Sequence, residues 1–162
     1  MIDEINDLPK IYLGPGKFHL SRKPETVVTV LGSCIAVVMY NTENNICAVS
    51  HSVMPDHDTY MNLQTSSSEY KFVDTAIRKM IQHFDKAEIE RDKIKVKLFG
   101  GSEQINESGR NASIGKQNIL MAINILFEKG LTIISSDVGG NEGRKLLIST
   151  QTGDVYLYRL GN

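Results

Sequence analysis

Residues 72–84 carry Phe72, Val73, Ala76, Ile77, Met80, Ile81 and Phe84 on one helical stripe, which predicts an amphipathic helix packed by that stripe on a sheet. Ser66 and Glu69 have capping-box spacing and place its start upstream. A second helix is predicted from an N-cap at Ser113 to about Lys129, with Ile119, Leu120, Ile123, Leu126 and Phe127 as its apolar residues and Gly130 closing it. The remaining apolar positions come in short runs that read as strands, at residues 11–13, 17–20, 27–31, 35–40, 46–51, 94–99, 131–135, 146–150 and 155–160. Gly14-Pro15-Gly16, the polar turn 41–45, the glycine-rich segment 137–144 and the turn 151–154 separate them. Strands gathered at both ends with two helices between them lack the alternation of a doubly wound sheet. They predict an α+β fold with mixed or antiparallel sheets, either two packed sheets or one strongly curved one, and both helices on an outer face.

The chain has 162 residues, enough for one domain over 1–162 with a core that needs no disulfide staple. Eighteen Lys and Arg against nineteen Asp and Glu, with no long run of either sign, exclude the electrostatic footprint of a nucleic-acid binder. The acidic start, Met1 to Asp7, is unlike a signal peptide, and no apolar run approaches membrane-spanning length, so a soluble cytoplasmic protein is expected. In that compartment thiols stay reduced, which leaves Cys47 as a small buried hydrophobe. Were Cys34 and Cys47 to meet on adjacent strands, a disulfide would be the alternative.

The chemistry concentrates in Cys34 and His51. Cysteine is nucleophilic as thiolate, and a nearby imidazole supplies that form, here by lowering the thiol pKa. The polar turn 41–45 between the two predicted strands folds a hairpin that sets residue 34 opposite residue 51. Gly32 and Ser33 just before the cysteine permit a tight turn, exposing the thiol and aiming backbone N–H groups at a developing oxyanion. A competing reading takes Cys34, Cys47, His51 and His57 as zinc ligands, but neither a C-x-x-C nor an H-x-x-x-H pair is present. Gly100-Gly101 and Gly139-Gly140-Asn141-Glu142-Gly143 lack the spacing of phosphate-binding loops and read instead as backbone with positive φ. No cofactor is expected. The polar stretch 56–68 reads as a surface loop and a candidate substrate flap.

Five segments together resemble the CheD family of chemoreceptor glutamine deamidases. They are Leu31-Gly32-Ser33-Cys34-Ile35-Ala36-Val37, His51-Ser52-Val53-Met54-Pro55-Asp56, Phe99-Gly100-Gly101, the run from Asn111 to Asn118, and Asp137-Val138-Gly139-Gly140-Asn141. The resemblance implies an α/β sandwich and a cysteine amidohydrolase that converts receptor glutamines to glutamate and ammonia in chemotactic adaptation. It implies Cys34 as nucleophile, His51 as base and then acid, and an upstream threonine, Thr29 or else Thr26, as the third member. Chemoreceptors are the implied partners, together with a CheC-type phosphatase, so that a regulatory binding module is the alternative function. Ser52-Val53-Met54 departs from the family's apolar run after the histidine, with an expected effect on the wall of the substrate groove.

Overall fold

The computed structural model describes residues 2–60, 69–103 and 114–161. Among the described residues nine strands form two sheets. The first has four strands in the order β1 (Lys10–Tyr12), β3 (Thr26–Leu31), β8 (Gly143–Ser149) and β9 (Val155–Leu160). The second has five, in the order β2 (Lys17–Ser21), β5 (Ile46–Ser52), β4 (Ile35–Asn41), β6 (Lys95–Gly100) and β7 (Ile133–Val138). Pairing is antiparallel except for β1 with β3 and β6 with β7. The predicted α+β class is therefore observed, with two packed sheets rather than one curved sheet.

Three apolar layers explain the strand patterns. Val27, Leu31, Ala36, Val38, Val49, Phe99, Leu146 and Ile148 fill the space between the sheets. On the outer face of the five-stranded sheet, Ile35, Val37, Met39, Ile46 and Ala48 meet α3 (Val73–Lys86) and α4 (Ile114–Glu128). Covered on both faces, β4 is buried along its whole length, which is why it reads as a continuous apolar run without alternation. A third, smaller layer lies on the outer face of the four-stranded sheet, where Ile5 of α1 (Ile2–Asp7) packs on Val28 and Leu147. Its six residues carry one buried anchor, too short a pattern for helical periodicity to register.

Several boundaries depart from the sequence reading. Helix α3 begins at Val73 after an extended Phe72 that makes no side-chain cap, so Glu69 falls in a preceding 3₁₀ turn and not in a capping box. Ser66 and Ser113 lie outside the described residues. On α4 the buried face is Gly115, Asn118, Ala122, Ile125 and Leu126, while Leu120, Ile123 and Phe127 are exposed. The short helix α2 (His57–Tyr60) occupies the start of the expected flap and is tied to α3 by the His57 N–H on Asp74 at 3.2 Å. Residues 61–68 of that flap lie outside the described residues.

Candidate active site

The chain crosses from the four-stranded to the five-stranded sheet between β3 and β4, and Cys34 sits at the end of that crossing. Alternation along β3 turns Thr29 inward with Val27 and Leu31, and alternation along β5 turns His51 inward with Cys47 and Val49. Cys34 packs partly against the same layer. The predicted hairpin forms, but its register pairs His51 with Ala36 and Ser52 with Ile35. Cys34 and His51 are thus diagonal neighbours on one face, two residues out of direct opposition, within the reach of cross-strand side chains.

The imidazole is held from one side. Thr29 Oγ1 donates to the Leu13 carbonyl at 2.7 Å and lies 2.8 Å from His51 Nδ1. A hydroxyl has one proton, so a Thr29 that donates to Leu13 accepts from Nδ1–H. The same N–H lies 3.3 Å from the Leu13 carbonyl. This fixes the tautomer with Nε2 as the free base, and Nε2 is buried with no partner among the described residues. Thr26 points elsewhere, its hydroxyl on the Ile5 carbonyl. The Leu13 carbonyl, contributed by backbone, has no side-chain signature in the sequence.

Burial pushes the Cys34 thiol above its ordinary value, with its own backbone N–H acting the other way. Burial also pushes the His51 imidazole down, opposed by the hydrogen bond to Leu13. Both directions favour a neutral thiol beside a neutral base, opposite to the expected lowering of the thiol pKa by the imidazole. Iodoacetamide labelling of the native protein should modify Cys34, at a rate still rising at pH values where a free cysteine has levelled off. Cys47 should stay unlabelled, because burial, opposed only by Lys97, pushes its thiol up to about 12. Peptide mass mapping after labelling at a series of pH values checks both. Cys47 pairs with Tyr40, six residues along from Cys34, so the two sulfurs stand about 20 Å apart at ~3.3 Å per residue and no disulfide joins them.

The turn expected at Gly32 and Ser33 is supported from outside. Gly32 does not adopt positive φ, and a Cβ there would meet nothing within 4 Å. The left-handed backbone lies across from it, at Gly100 (φ 105°) and Gly101 (φ 72°). Gly101 N–H donates to the Cys34 carbonyl at 2.9 Å and Ser102 N–H to the Gly32 carbonyl at 3.0 Å. A Cβ on Gly100 would stand 2.3 Å from the Cys34 carbonyl oxygen. Behind this loop the Gly139 N–H bonds the Gly100 carbonyl at 2.9 Å. The buried Arg144 in turn holds the Gly139 carbonyl and Asp137 Oδ1, each at 2.6 Å, and so joins β8 of one sheet to β7 of the other. The sequence reading took the Gly139 segment as a loop and gave Arg144 no role.

The remaining candidates separate. His57 packs edge-on against Phe72, and among the described residues no three His, Cys, Asp or Glu side chains converge as a metal site. His83 stacks on Phe18. Ser52 donates to the Tyr70 carbonyl, and Val53 and Met54 N–H groups both reach the Lys71 carbonyl, so this departure from the family pattern fastens β5 to the turn before α3. A cleft of about 400 Å³ opens beside the site between Tyr12, Pro15, Val30, Thr29 and His51.

Comparison with known proteins places the chain in a family. The family model described as CheD chemotactic sensory transduction matches residues 53–159. The chain belongs to the CheD family. A Geobacter sulfurreducens protein named "Probable chemoreceptor glutamine deamidase CheD 2" is 37% identical over 153 residues, covering 94% of this chain and 91% of its own. Proteins named "Probable chemoreceptor glutamine deamidase CheD" are 34% identical in Maridesulfovibrio salexigens (96% of this chain, 94% of the relative) and 31% in Methanococcus maripaludis (86% and 88%). The family model begins two residues after His51, whereas the Geobacter match leaves out too little of the chain to miss the stretch from Thr29 to His51. No helix among the described residues is long and apolar enough to cross a membrane.

Proposed function

We propose that the chain is a cytoplasmic chemoreceptor glutamine deamidase in which Cys34 is the nucleophile, His51 the general base and acid, and Thr29 the residue that orients His51. The observation that carries this reading is the free, buried Nε2 of an imidazole whose other nitrogen is committed to Thr29 and Leu13, on the same face as the half-buried Cys34. His51 Nε2 takes the thiol proton as sulfur attacks the glutamine side-chain carbonyl, and the oxyanion is met by backbone N–H groups at Ser33 and Cys34. Collapse breaks the C–N bond, and the imidazolium protonates the departing nitrogen to ammonia. Water, deprotonated by Nε2, then cleaves the thioester to glutamate and restores the thiol. Burial keeps the imidazole neutral below its ordinary range, so the acid limb of activity lies below the pH at which an ordinary histidine titrates. Protonation of Nε2, as pH falls through the lowered pKa, is what shuts the reaction down.

Incubation with the cytoplasmic fragment of a glutamine-containing chemoreceptor tests the reading. Selected glutamines should each gain about one dalton with stoichiometric ammonia, as hydrolysis through an acyl-enzyme requires. A receptor fragment unchanged in mass after prolonged incubation at neutral pH would refute it. The product glutamates alter receptor charge, which is the proposed link to adaptation. Regulation by a CheC-type phosphatase rests on family membership alone, and a pull-down with such a phosphatase decides it.

A further inference from the structure

The Asn118 carboxamide donates to two backbone carbonyls, Ser33 at 2.9 Å and Val53 at 3.0 Å. Two carbonyl acceptors leave only one way round for the amide. The side chain is fully buried, and its Oδ1 has no partner among the described residues. An aliphatic side chain would fill the same space without burying an unpaired oxygen, so the donor end is what distinguishes asparagine here. Close packing brings it into position. Gly115, one turn earlier on α4, lies so near the Gly101 and Ser102 carbonyl oxygens that a Cβ would stand 2.6 and 2.5 Å from them.

The two carbonyls are at the end of the β4–β5 ladder, whose last rung joins Ile35 and Ser52. The next rung, Cys34 with Val53, does not form. Val53 N–H turns to the Lys71 carbonyl at 2.8 Å, and the Cys34 carbonyl accepts from Gly101. Asn118 spans the gap this leaves. In a planar trans peptide the C=O of one residue and the N–H of the next point in opposite directions, so fixing the Ser33 carbonyl fixes the Cys34 N–H. That N–H bonds no other residue among the described ones.

We propose that Asn118 is a positioning residue, holding the Ser33–Cys34 peptide so that the Cys34 N–H meets the oxyanion formed when the thiolate attacks an acyl carbon. The inference rests on the thiol-acyl chemistry proposed above, and its test needs no receptor. In p-nitrophenyl acetate, Cys34 sulfur bonds to the ester carbon through an oxyanion, the thiol proton passes to His51, and p-nitrophenolate leaves. Iodoacetamide forms a C–S bond with loss of iodide and no oxyanion. Both rates at Cys34 are to be followed by peptide mass mapping in wild type, Asn118→Ala and Asn118→Ser. The ratio of acylation to alkylation should fall about tenfold or more in both variants while alkylation stays within about twofold, the signature of a misaimed oxyanion donor. An unchanged ratio overturns the proposal, as does a parallel change in both rates, which marks a merely structural role, or a wild-type Cys34 that is alkylated but not acylated. If Asn118→Ala does not fold, Asn118→Ser carries the same comparison. A wild type that acylates Cys34 yet leaves receptor glutamines intact defeats the deamidase reading alone, and the ratio still decides Asn118.

Discussion

Cys34→Ala is expected to abolish receptor deamidation, by at least about 10³-fold, and to leave the protein folded. No other described residue supplies a thiol here, because Cys47 is fully buried with its pKa near 12. Without the sulfur no acyl-enzyme forms, and His51 retains only the weaker option of activating water directly. The structural cost is small, since Cys34 only borders the layer between the sheets, and about 1 kcal/mol or less is expected. Cys47→Ala is the mirror image. It empties a fully buried position and costs roughly 1–2 kcal/mol, but spares activity. Mass analysis of receptor glutamines, paired with thermal melts of both variants, reads the two effects separately. Deamidation at the wild-type rate in Cys34→Ala would remove this residue from the mechanism.

Gly100→Ala should be among the most damaging single-methyl additions in the chain. The φ of 105° is strained for any residue with a Cβ, and the new carbon would stand 2.3 Å from the Cys34 carbonyl oxygen and 3.2 Å from Ile35 Cα. Backbone cannot swing aside as a flexible side chain can. Strain and overlap together cost roughly 2–5 kcal/mol, a fall in melting temperature of about 5–15 °C for a domain of this size. Gly32→Ala is the control. Its φ is outside the left-handed region and its Cβ would find open space, so the change is neutral or stabilising by up to about 1 kcal/mol. Equal melting temperatures for the two variants would show that the Gly100 contact with Cys34 does not exist in solution.

The contrast between these glycines shows where the sequence was informative. Gly32 stands next to the cysteine in the chain and drew the reading of a tight turn, yet the strained backbone belongs to Gly100, more than sixty residues later. Local patterns predicted the strands of the β4–β5 hairpin, the stripe of α3 and the closeness of Cys34 to His51, because each depends on spacing along a few residues. The register was missed by two positions, and the ladder ends before Cys34 because Gly101 N–H donates to the Cys34 carbonyl and Val53 N–H to the Lys71 carbonyl. For the same reason Asn118, the Leu13 carbonyl and Arg144 were invisible as parts of the site. Their effects come through backbone groups brought close by packing, and no residue type advertises that. On α4, the exposure of Leu120, Ile123 and Phe127 beside a buried Asn118 inverts what hydropathy alone predicts.

The crossing from β3 to β4 carries a consequence for folding. Thr29 belongs to one sheet and His51 to the other, and Cys34 sits where the chain passes between them. Neither sheet alone holds an oriented imidazole, so under the proposed mechanism reactivity should appear only after the two sheets have docked and water has left the layer between them. A compact intermediate with both sheets formed but a loosened interior would give a nearly native far-ultraviolet circular dichroism spectrum and no catalysis. In this protein, recovery of activity during refolding times the closing of the sandwich, a step that secondary-structure probes pass over.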